Sequence, residues 1–221
     1  MRTIRVSGKG KLSLKPDLIE LTLRTSGTYK EYSDTIRRSA EQTRILKETL
    51  KSAGLDSNDL KTTSFDIDTA YESYKDYEGN SKSKFVGYEF IHRTYIKFAN
   101  DNELLGKVLY SLSRCPIKVK FDIDYTISDR EGAKDQLLKN AIADATHKAN
   151  VLAESADVNL GEIVDINYSW GEIRFSSSPI NTFALESKMM AMPTDSYDID
   201  IEADDIDLAL SLIHISEPTR R

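Results

Sequence analysis

Hydrophobic and polar positions alternate at the start of the chain, which is the period of a half-buried strand. Apolar or glycine residues occupy every second position over residues 4–14 and again over residues 19–23. Pro16 and Asp17 lie between the two runs and are typical of a turn. This pattern predicts two strands that are joined as a hairpin.

Two later segments show the three- or four-residue period of an amphipathic helix. The first begins near Tyr32 and ends at Gly54, a residue type that commonly follows a helix. Its predicted buried stripe comprises Ile36, Ala40, Thr43, Leu46 or Lys47, and Leu50. A short helix follows the capping signal Asp101-Asn102-Glu103 and stops before Pro116.

A third helix is the longest and begins at Ser128 or Asp129. Its predicted buried stripe is narrow and consists mostly of small residues: Ala133, Leu137, Ala141, Ala145, Ala149, Leu152 and Ala156. Because the distance between packed elements depends on the side chains at the contact, this helix is expected to lie close to a sheet.

The alternating pattern returns in several places after the first helix. Residues 65–71 and 88–98 are predicted to form a hairpin around a solvated polar loop from Tyr77 to Lys84. Further strands are predicted over residues 119–127, 163–170 and 197–201.

This order of elements indicates an α+β fold. Two strand-rich halves are expected to form an antiparallel or mixed sheet, with two long helices and one short helix packed on it. Residues 1–208 are expected to be one domain, divided into sub-domains 1–99 and 100–208 if the halves fold separately.

The end of the chain does not resemble the rest. Residues 210–220 read LSLIHISEPTR, the translation of DNA that resembles a transposase adaptor used in sequencing libraries. We therefore expect residues 209–221 to be a non-native tail. Leu208, Leu210 and Leu212 keep the period of a strand, but Glu217-Pro218 is not expected to extend a central ladder, because proline lacks the backbone donor.

Composition and charge exclude several classes of protein. The 221 residues carry 30 Lys and Arg against 36 Asp and Glu, a net charge of −6, which disfavours nucleic acid as a partner. Cys115 is the single cysteine, so neither an intrachain disulfide nor a cysteine-rich metal cluster can form. No segment has the roughly 20 apolar residues of a membrane span. Because the first residues lack a signal-peptide pattern, the chain as given is expected to be cytoplasmic.

Candidate catalytic groups are few. His92 alternates with Phe90 and Thr94 on a strand and is expected to be a packed, structural imidazole, whereas His147 is expected to be exposed on the long helix. Nucleophile-elbow, phosphate-loop and dinucleotide motifs do not occur in the sequence. Gly8-Lys9-Gly10 lies within a strand and indicates a bulge or a close backbone approach.

The acidic residues have the spacing of solvent-facing positions. Asp122 and Asp124 lie on the polar side of a predicted strand, and Cys115 ends a helix, where no dipole activates a thiol. The acidic run near the C-terminus lacks the glycine of a calcium loop and comprises Asp195, Asp198, Asp200, Glu202, Asp204, Asp205 and Asp207. We therefore assign no catalytic residue, no metal ligand and no cofactor.

Several short motifs together resemble the SIMPL family over about residues 3–208. They are Ile4-x-Val6-x-Gly8-x-Gly10 with Pro16-Asp17, Gly54-Leu55 with Asp59-Leu60-Lys61-Thr62-Thr63, the strand start Gly87-Tyr88, and Ala141-x-x-x-Ala145-x-x-Lys148-Ala149-x-x-Leu152-Ala153. The resemblance, which extends to uncharacterised clostridial-type members, implies an α+β fold and ring- or channel-like homo-oligomers. It implies no established enzyme activity and no catalytic residue to carry over. Many members begin with a signal peptide, so an exported, periplasmic or cell-surface location is the alternative to the cytoplasm.

Three functions from different classes remain open. The first is a non-enzymatic protein that self-assembles and acts in oxidative-stress defence, as the resemblance implies for some members. The second is a small-molecule or metal-binding enzyme that uses residues 176–196 as a lid, which requires at least two of His92, Asp122, Asp124 and Tyr125 to converge in one pocket. The third is a partner-binding adaptor that uses the methionines of the same loop, Met189, Met190 and Met192.

Overall fold

The computed structural model describes residues 3–77, 79–168, 170, 173–177 and 203–219. The strand predicted over residues 197–201, the methionines of the long loop, and the acidic residues from Asp195 to Glu202 lie outside this part of the chain. The described elements are β1 (Ile4–Leu14), β2 (Leu18–Tyr29), α1 (Tyr32–Ser52), a 3-10 turn (Ser57–Asp59), β3 (Lys61–Lys75), β4 (Ser81–Ala99), α2 (Asn102–Ser113), β5 (Val119–Thr126), α3 (Arg130–Ser155), β6 (Asn159–Tyr168), β7 (Ser176–Ser177) and β8 (Ile206–Thr219).

The described residues fall into two compact units, both of which combine strands and helices in an α+β fold. Unit 1 contains residues 3–17, 126–177 and 203–219, and unit 2 contains residues 18–125. This division differs from the expected boundary between residues 99 and 100. The chain leaves unit 1 after β1 and returns to it at the end of β5.

Unit 1 is built on a three-stranded antiparallel sheet in the order β1-β8-β6. The predicted hairpin of β1 with β2 is therefore wrong, since β1 pairs along its whole length with β8. The turn residue Asp17 explains the departure: its N–H donates to the carbonyl of Thr126 at 3.1 Å, and its carboxylate accepts from Ser128 N at 2.7 Å. Asp17 is thus bonded to the segment that begins α3 instead of closing a tight turn.

Strand β8 is longer than the sequence predicted. Leu208, Leu210 and Leu212 are buried, as their alternation indicated. β8 continues to Thr219, but Pro218 does not extend a central ladder, as the sequence predicted. β1 ends opposite Ser216, so Pro218 is paired with β6 on one side and has no β1 residue opposite it on the other side.

Helix α3 covers the sheet of unit 1 with its row of small residues. Asp129 caps the helix by accepting from Gly132 N at 2.8 Å, and the row from Ala133 to Ala149 is buried as predicted. The prediction that Leu152 and Ala156 are buried is wrong, since Leu152 is 49% exposed and Ala156 is exposed too. Ala153 is buried instead, because the four-residue spacing continues from Ala149.

Gly8 and Gly10 allow this close contact between α3 and β1. A Cβ atom on Gly8 would overlap the carbonyl oxygen of Ala141, and a Cβ on Gly10 would overlap that of Leu137. The paired glycines therefore mark a close backbone approach, one of the two alternatives that the sequence indicated.

Unit 2 contains the strand order β3-β4-β2-β5, with α1 lying over β2 and β4. The predicted β3–β4 hairpin is confirmed, but the pairing extends to Lys75 and Ser81, so part of the expected polar loop belongs to β4 and Gly87 lies inside the strand. Asp101 caps α2 as predicted, accepting from Glu103 N at 2.9 Å and Leu104 N at 3.1 Å.

Helix α1 ends as expected but buries a different face. The N–H of Leu55 donates to Leu50 O, and Gly54 (φ +100°) donates to Lys51 O, which is the Schellman arrangement. Ile36, predicted to be buried, is 46% exposed, and Ala40 is exposed too. Thr35 and Ser39 are buried instead, because their hydroxyls donate to helix carbonyls and need no water.

Candidate functional site

His92 is the buried titratable group at the centre of the α1–sheet contact in unit 2. It lies on β4 and is 7% exposed. Its Nδ1 lies 3.1 Å from Thr43 Oγ1 on α1, and its Nε2 lies 3.0 Å from Thr62 Oγ1 on β3. The ring of Phe65 meets it edge to face at 5.4 Å. His92 therefore connects three elements.

The hydrogen bonds of Thr43 define the tautomer of His92. Thr43 Oγ1 donates its single proton to the carbonyl of Ser39 at 2.9 Å, so it accepts from His92 Nδ1–H. Nε2 is then the unprotonated nitrogen and accepts from Thr62 Oγ1. Burial lowers the pKa of His92 below its ordinary value of about 6.5, and the imidazole is neutral near pH 7.

Two side-chain oxygens in unit 2, Gln42 Oε1 and Thr94 Oγ1, are buried and have no hydrogen-bond partner within the described part of the chain. Thr94 follows His92 on the same side of β4, and Gln42 precedes Thr43 on α1. The layer between α1 and the sheet is therefore polar, and only some of its polar atoms have hydrogen-bond partners. Both nitrogens of the His92 ring bind threonines, so among the described residues no carboxylate orients this ring as a general base.

The residues on which the enzyme hypothesis depends do not converge. Asp122 and Asp124 alternate along β5 with the buried Ile123 and Tyr125, so the two carboxylates face away from Tyr125. Strand β2 lies between β5 and the strand that carries His92. Burial raises the pKa of Tyr125, which keeps its hydroxyl protonated.

The other candidates occupy separate places. His147 is exposed on α3, as predicted. Cys115 is half-buried, with its Sγ 3.4 Å from Thr49 Oγ1. Asp204 and Asp205 are exposed, and Asp207 accepts a hydrogen bond from Ser13 Oγ at 2.7 Å. Among the residues that the structure describes, no three His, Cys, Asp or Glu side chains group as metal ligands do.

A row of polar side chains on α3, which the sequence analysis did not identify, bonds to the free edge of β1. Asn140 Nδ2 donates to Lys11 O at 2.9 Å, Asp144 accepts from Lys9 N at 2.7 Å, and Lys148 Nζ donates to Ser7 O at 3.0 Å. Lys148 Nζ also donates to the carboxylate of Asp144, at 2.7 Å. The hydrogen bonds from Lys148 and from Lys9 N lower the pKa of Asp144. The four-residue spacing was visible in the sequence but is equally typical of a solvated helix face.

The motifs that carry the family resemblance thus hold elements together. Gly8 and Gly10 meet Ala141 and Leu137, and Lys148 bonds to β1. Asp17 holds the start of α3, as described above. Asp17 lines one cleft, and Lys148 lines another together with Val6 and Leu152.

Exposed aromatic side chains form a second feature of unit 2, at the far end of the β3–β4 hairpin. Tyr71 and Phe85 are paired across the strands, with ring centroids 5.8 Å apart. The chain of edge-to-face contacts continues from Phe85 to Tyr88 at 5.5 Å and from Tyr88 to Tyr32 at 5.4 Å. Tyr71 is 61% exposed and Phe85 is 45% exposed. We call Tyr32, Tyr71, Phe85 and Tyr88 the aromatic cluster.

Comparison with known proteins identifies the family. The SIMPL family, described as a protein of unknown function (DUF541), matches residues 4–212, four residues beyond the expected end of the domain. The 26 kDa periplasmic immunogenic proteins of Brucella abortus (strain S19) and Brucella melitensis biotype 1 are 25% and 24% identical to this chain over 164 residues. The uncharacterized protein YggE of Edwardsiella ictaluri is 24% identical over 164 residues.

These alignments cover most, but not all, of each protein. They include 74% of this chain for the two Brucella proteins and 73% for the Edwardsiella protein. The chain spans 65% of the length of the Brucella relatives and 66% of the Edwardsiella relative. No helix in the described part of the chain is long and apolar enough to cross a membrane. With the family match extending over nearly its whole length, the chain is a member of the SIMPL family, whose function is uncharacterised.

Proposed function

We propose that this protein is a non-enzymatic, self-assembling member of its family, and that the aromatic cluster is a contact between copies. The observation that carries the proposal is that two members of this cluster, Tyr71 and Phe85, lie on an unsupported part of the hairpin. β2 ends at Tyr29, opposite Tyr88, whereas β3 and β4 remain paired from Tyr71–Phe85 to Lys75–Ser81. In the described chain this distal part is a two-stranded ribbon.

A two-stranded ribbon is at best marginally stable in water, and contiguous exposed apolar patches mark interaction sites. Packing against a second copy would bury the aromatic rings and support the ribbon. The ring- or channel-like oligomers implied by the family resemblance favour a second copy as the occupant.

The native mass of the protein, measured by light scattering across a dilution series, tests the proposal. We expect an oligomer, and we expect Tyr71→Ser with Phe85→Ser to weaken its association at least about tenfold, as loss of about 1.4 kcal/mol would. The matched control is Glu72→Ser with Lys84→Ser, the next pair across the same two strands. Circular dichroism checks that both double variants are folded.

A monomeric wild-type protein at every concentration contradicts the proposal. If the oligomer is unchanged in both double variants, the aromatic cluster is not part of the contact between copies. Binding of the cluster to a different protein, with the wild type monomeric, would favour the adaptor hypothesis.

We further propose a cell-envelope location and a role in oxidative-stress defence. The name of the Brucella relatives, periplasmic immunogenic protein, supports the location, and the family resemblance supports the role. Fractionation of cells that produce the protein from its natural gene tests the location. Peroxide survival of a deletion strain tests the role, and complementation with Cys115→Ser is expected to restore survival, because the half-buried thiol is not expected to be the reactive group.

A further inference from the structure

Resting on the self-association proposed above, we propose that β6 pairs antiparallel with β6 of a second copy about a two-fold axis at Ile166. The inference begins with the two edges of the sheet in unit 1. An unpaired strand edge offers backbone donors and acceptors to another chain unless it is covered. At the β1 edge, Asn140, Asp144 and Lys148 of α3 already bond the backbone groups of Lys11, Lys9 and Ser7.

The β6 edge has a different character. Within the described chain β6 pairs with β8 on one side only, and residues 162–168 are all exposed. Val164, Ile166 and Tyr168 are 52%, 37% and 46% exposed. Ile166 and Tyr168 share one face of the strand, and Val164 continues their alternation next to the register shift between Ile163 and Asp165. We call Val164, Ile166 and Tyr168 the β6 stripe.

The β6 stripe lies on the face of the sheet that α3 covers. Tyr168 is the register partner of Leu212, and Leu212 is in the core formed with α3. Cross-strand partners share a face, so a strand added beyond β6 would continue the layer under α3. An occupant with alternating apolar side chains fits this edge, and β6 itself has that pattern.

The order of residues in β6 is compatible with a two-fold pairing of two copies. With the axis at Ile166, Val164 lies opposite Tyr168 of the second copy and Ile166 lies opposite itself, so every member of the β6 stripe pairs with another member. Asp165 then lies opposite Asn167, whose amide can donate to the carboxylate. An axis at Asp165 would place two carboxylates opposite each other, which is destabilising.

Cysteine cross-linking in a Cys115→Ser background tests the register. Directly opposite residues have Cα atoms roughly 4.5–5.5 Å apart, which suits a disulfide, so Ile166→Cys is expected to form a covalent dimer under mild oxidation. Asn167→Cys is the matched control, because its two copies would be about 8 Å apart and unable to bridge. Lys9→Cys, on the β1 edge that α3 covers, is expected to remain uncross-linked as well.

A charge variant tests the contact without oxidation. Ile166→Lys is expected to halve the native mass of the oligomer. Val164→Lys, also at an exposed position, is a second variant with the same expected result, and thermal melting checks that both variants are folded. An oligomeric wild type whose mass both lysine variants leave unchanged, or cross-linking through Asn167→Cys instead of Ile166→Cys, overturns the β6 pairing while the proposed function stands. A monomeric wild type overturns both.

Discussion

The two long helices contact their sheets in opposite ways. α3 meets β1 in unit 1 through glycine and alanine at close backbone approach, and its polar row bonds to the edge of that strand. α1 meets its sheet in unit 2 through threonine, serine and the neutral His92. The first contact depends on the small size of its residues and the second on a protonation state. The stability of unit 1 should therefore be sensitive to the size of the side chains in the contact, and the stability of unit 2 should be sensitive to pH.

The largest effect is expected where backbone meets backbone. Gly8→Ala and Gly10→Ala should each cost about 3 kcal/mol of unfolding free energy, because the added Cβ overlaps a carbonyl oxygen of α3 that cannot rotate away. Urea denaturation measures the loss, and the exposed neighbour Lys9→Ala is the control. A change below about 0.5 kcal/mol in both glycine variants would show that α3 and β1 are not in close contact.

Overpacking the same contact from the helix side should be nearly as costly. Ala145→Leu and Ala149→Leu should each destabilise the protein by about 1–3 kcal/mol, because both alanines are fully buried. Val151, 46% exposed on the same helix, provides the control Val151→Leu, which should change the melting temperature little. Equal melting temperatures for all three variants would place the alanine row on an exposed face.

Between about pH 5 and 7 the α1 contact should respond to pH and the α3 contact should not, because the lowered pKa of Asp144 keeps its carboxylate ionised in this range. The folded-state pKa of His92 is lowered by burial, so below about pH 6.5 the unfolded chain binds a proton that the folded chain resists. The unfolding free energy is therefore expected to fall as pH decreases from about 6.5 towards the lowered folded-state pKa, and to be fully present above this window.

His92→Gln tests this pH dependence. At pH 7.5 the variant should lose about 1–3 kcal/mol, because it leaves Thr43 or Thr62 without its present partner, and its stability should decline less between pH 6.5 and 5. His147→Gln, at an exposed position, is the matched control and should keep the wild-type decline. An identical decline in the His92 variant would assign the pH dependence to other groups.

The smallest effect is expected at the covered edge of β1. Asn140→Ala should cost about 0.5–1.5 kcal/mol, since it leaves one backbone carbonyl without its side-chain donor. Lys139→Ala, exposed on the same helix, should be neutral. Differential scanning fluorimetry resolves the pair, and equal melting temperatures would show that the bond to Lys11 O contributes nothing.

Much of the secondary structure could be predicted from the sequence, because local periodicity reflects local burial. The row from Ala133 to Ala149 and the caps Asp101 and Asp129 are examples. The pairing of Leu14 with Ile206 could not be predicted, because no local signal selects a partner so far along the chain. The short separation in sequence favoured β2 as the partner of β1 instead.

The α1 surface illustrates a second limit of pattern analysis. Hydrophobicity ranks Ile36 and Ala40 above Thr35 and Ser39, but the helix buries the hydroxyl residues. A hydroxyl that bonds its own helix can be buried at little cost, and the sheet beneath α1 carries His92 and Thr94. The placement of His92 on a buried strand was predictable, whereas its two threonine partners depend on the tertiary structure.

The native mass of the wild-type protein, compared with that of Ile166→Lys at equal concentration, tests the central claim most directly. If the protein self-assembles and β6 provides a two-fold contact, the wild-type mass is an even multiple of 25.0 kDa and the variant has half of it. A wild-type mass of 25.0 kDa at every concentration would contradict the account.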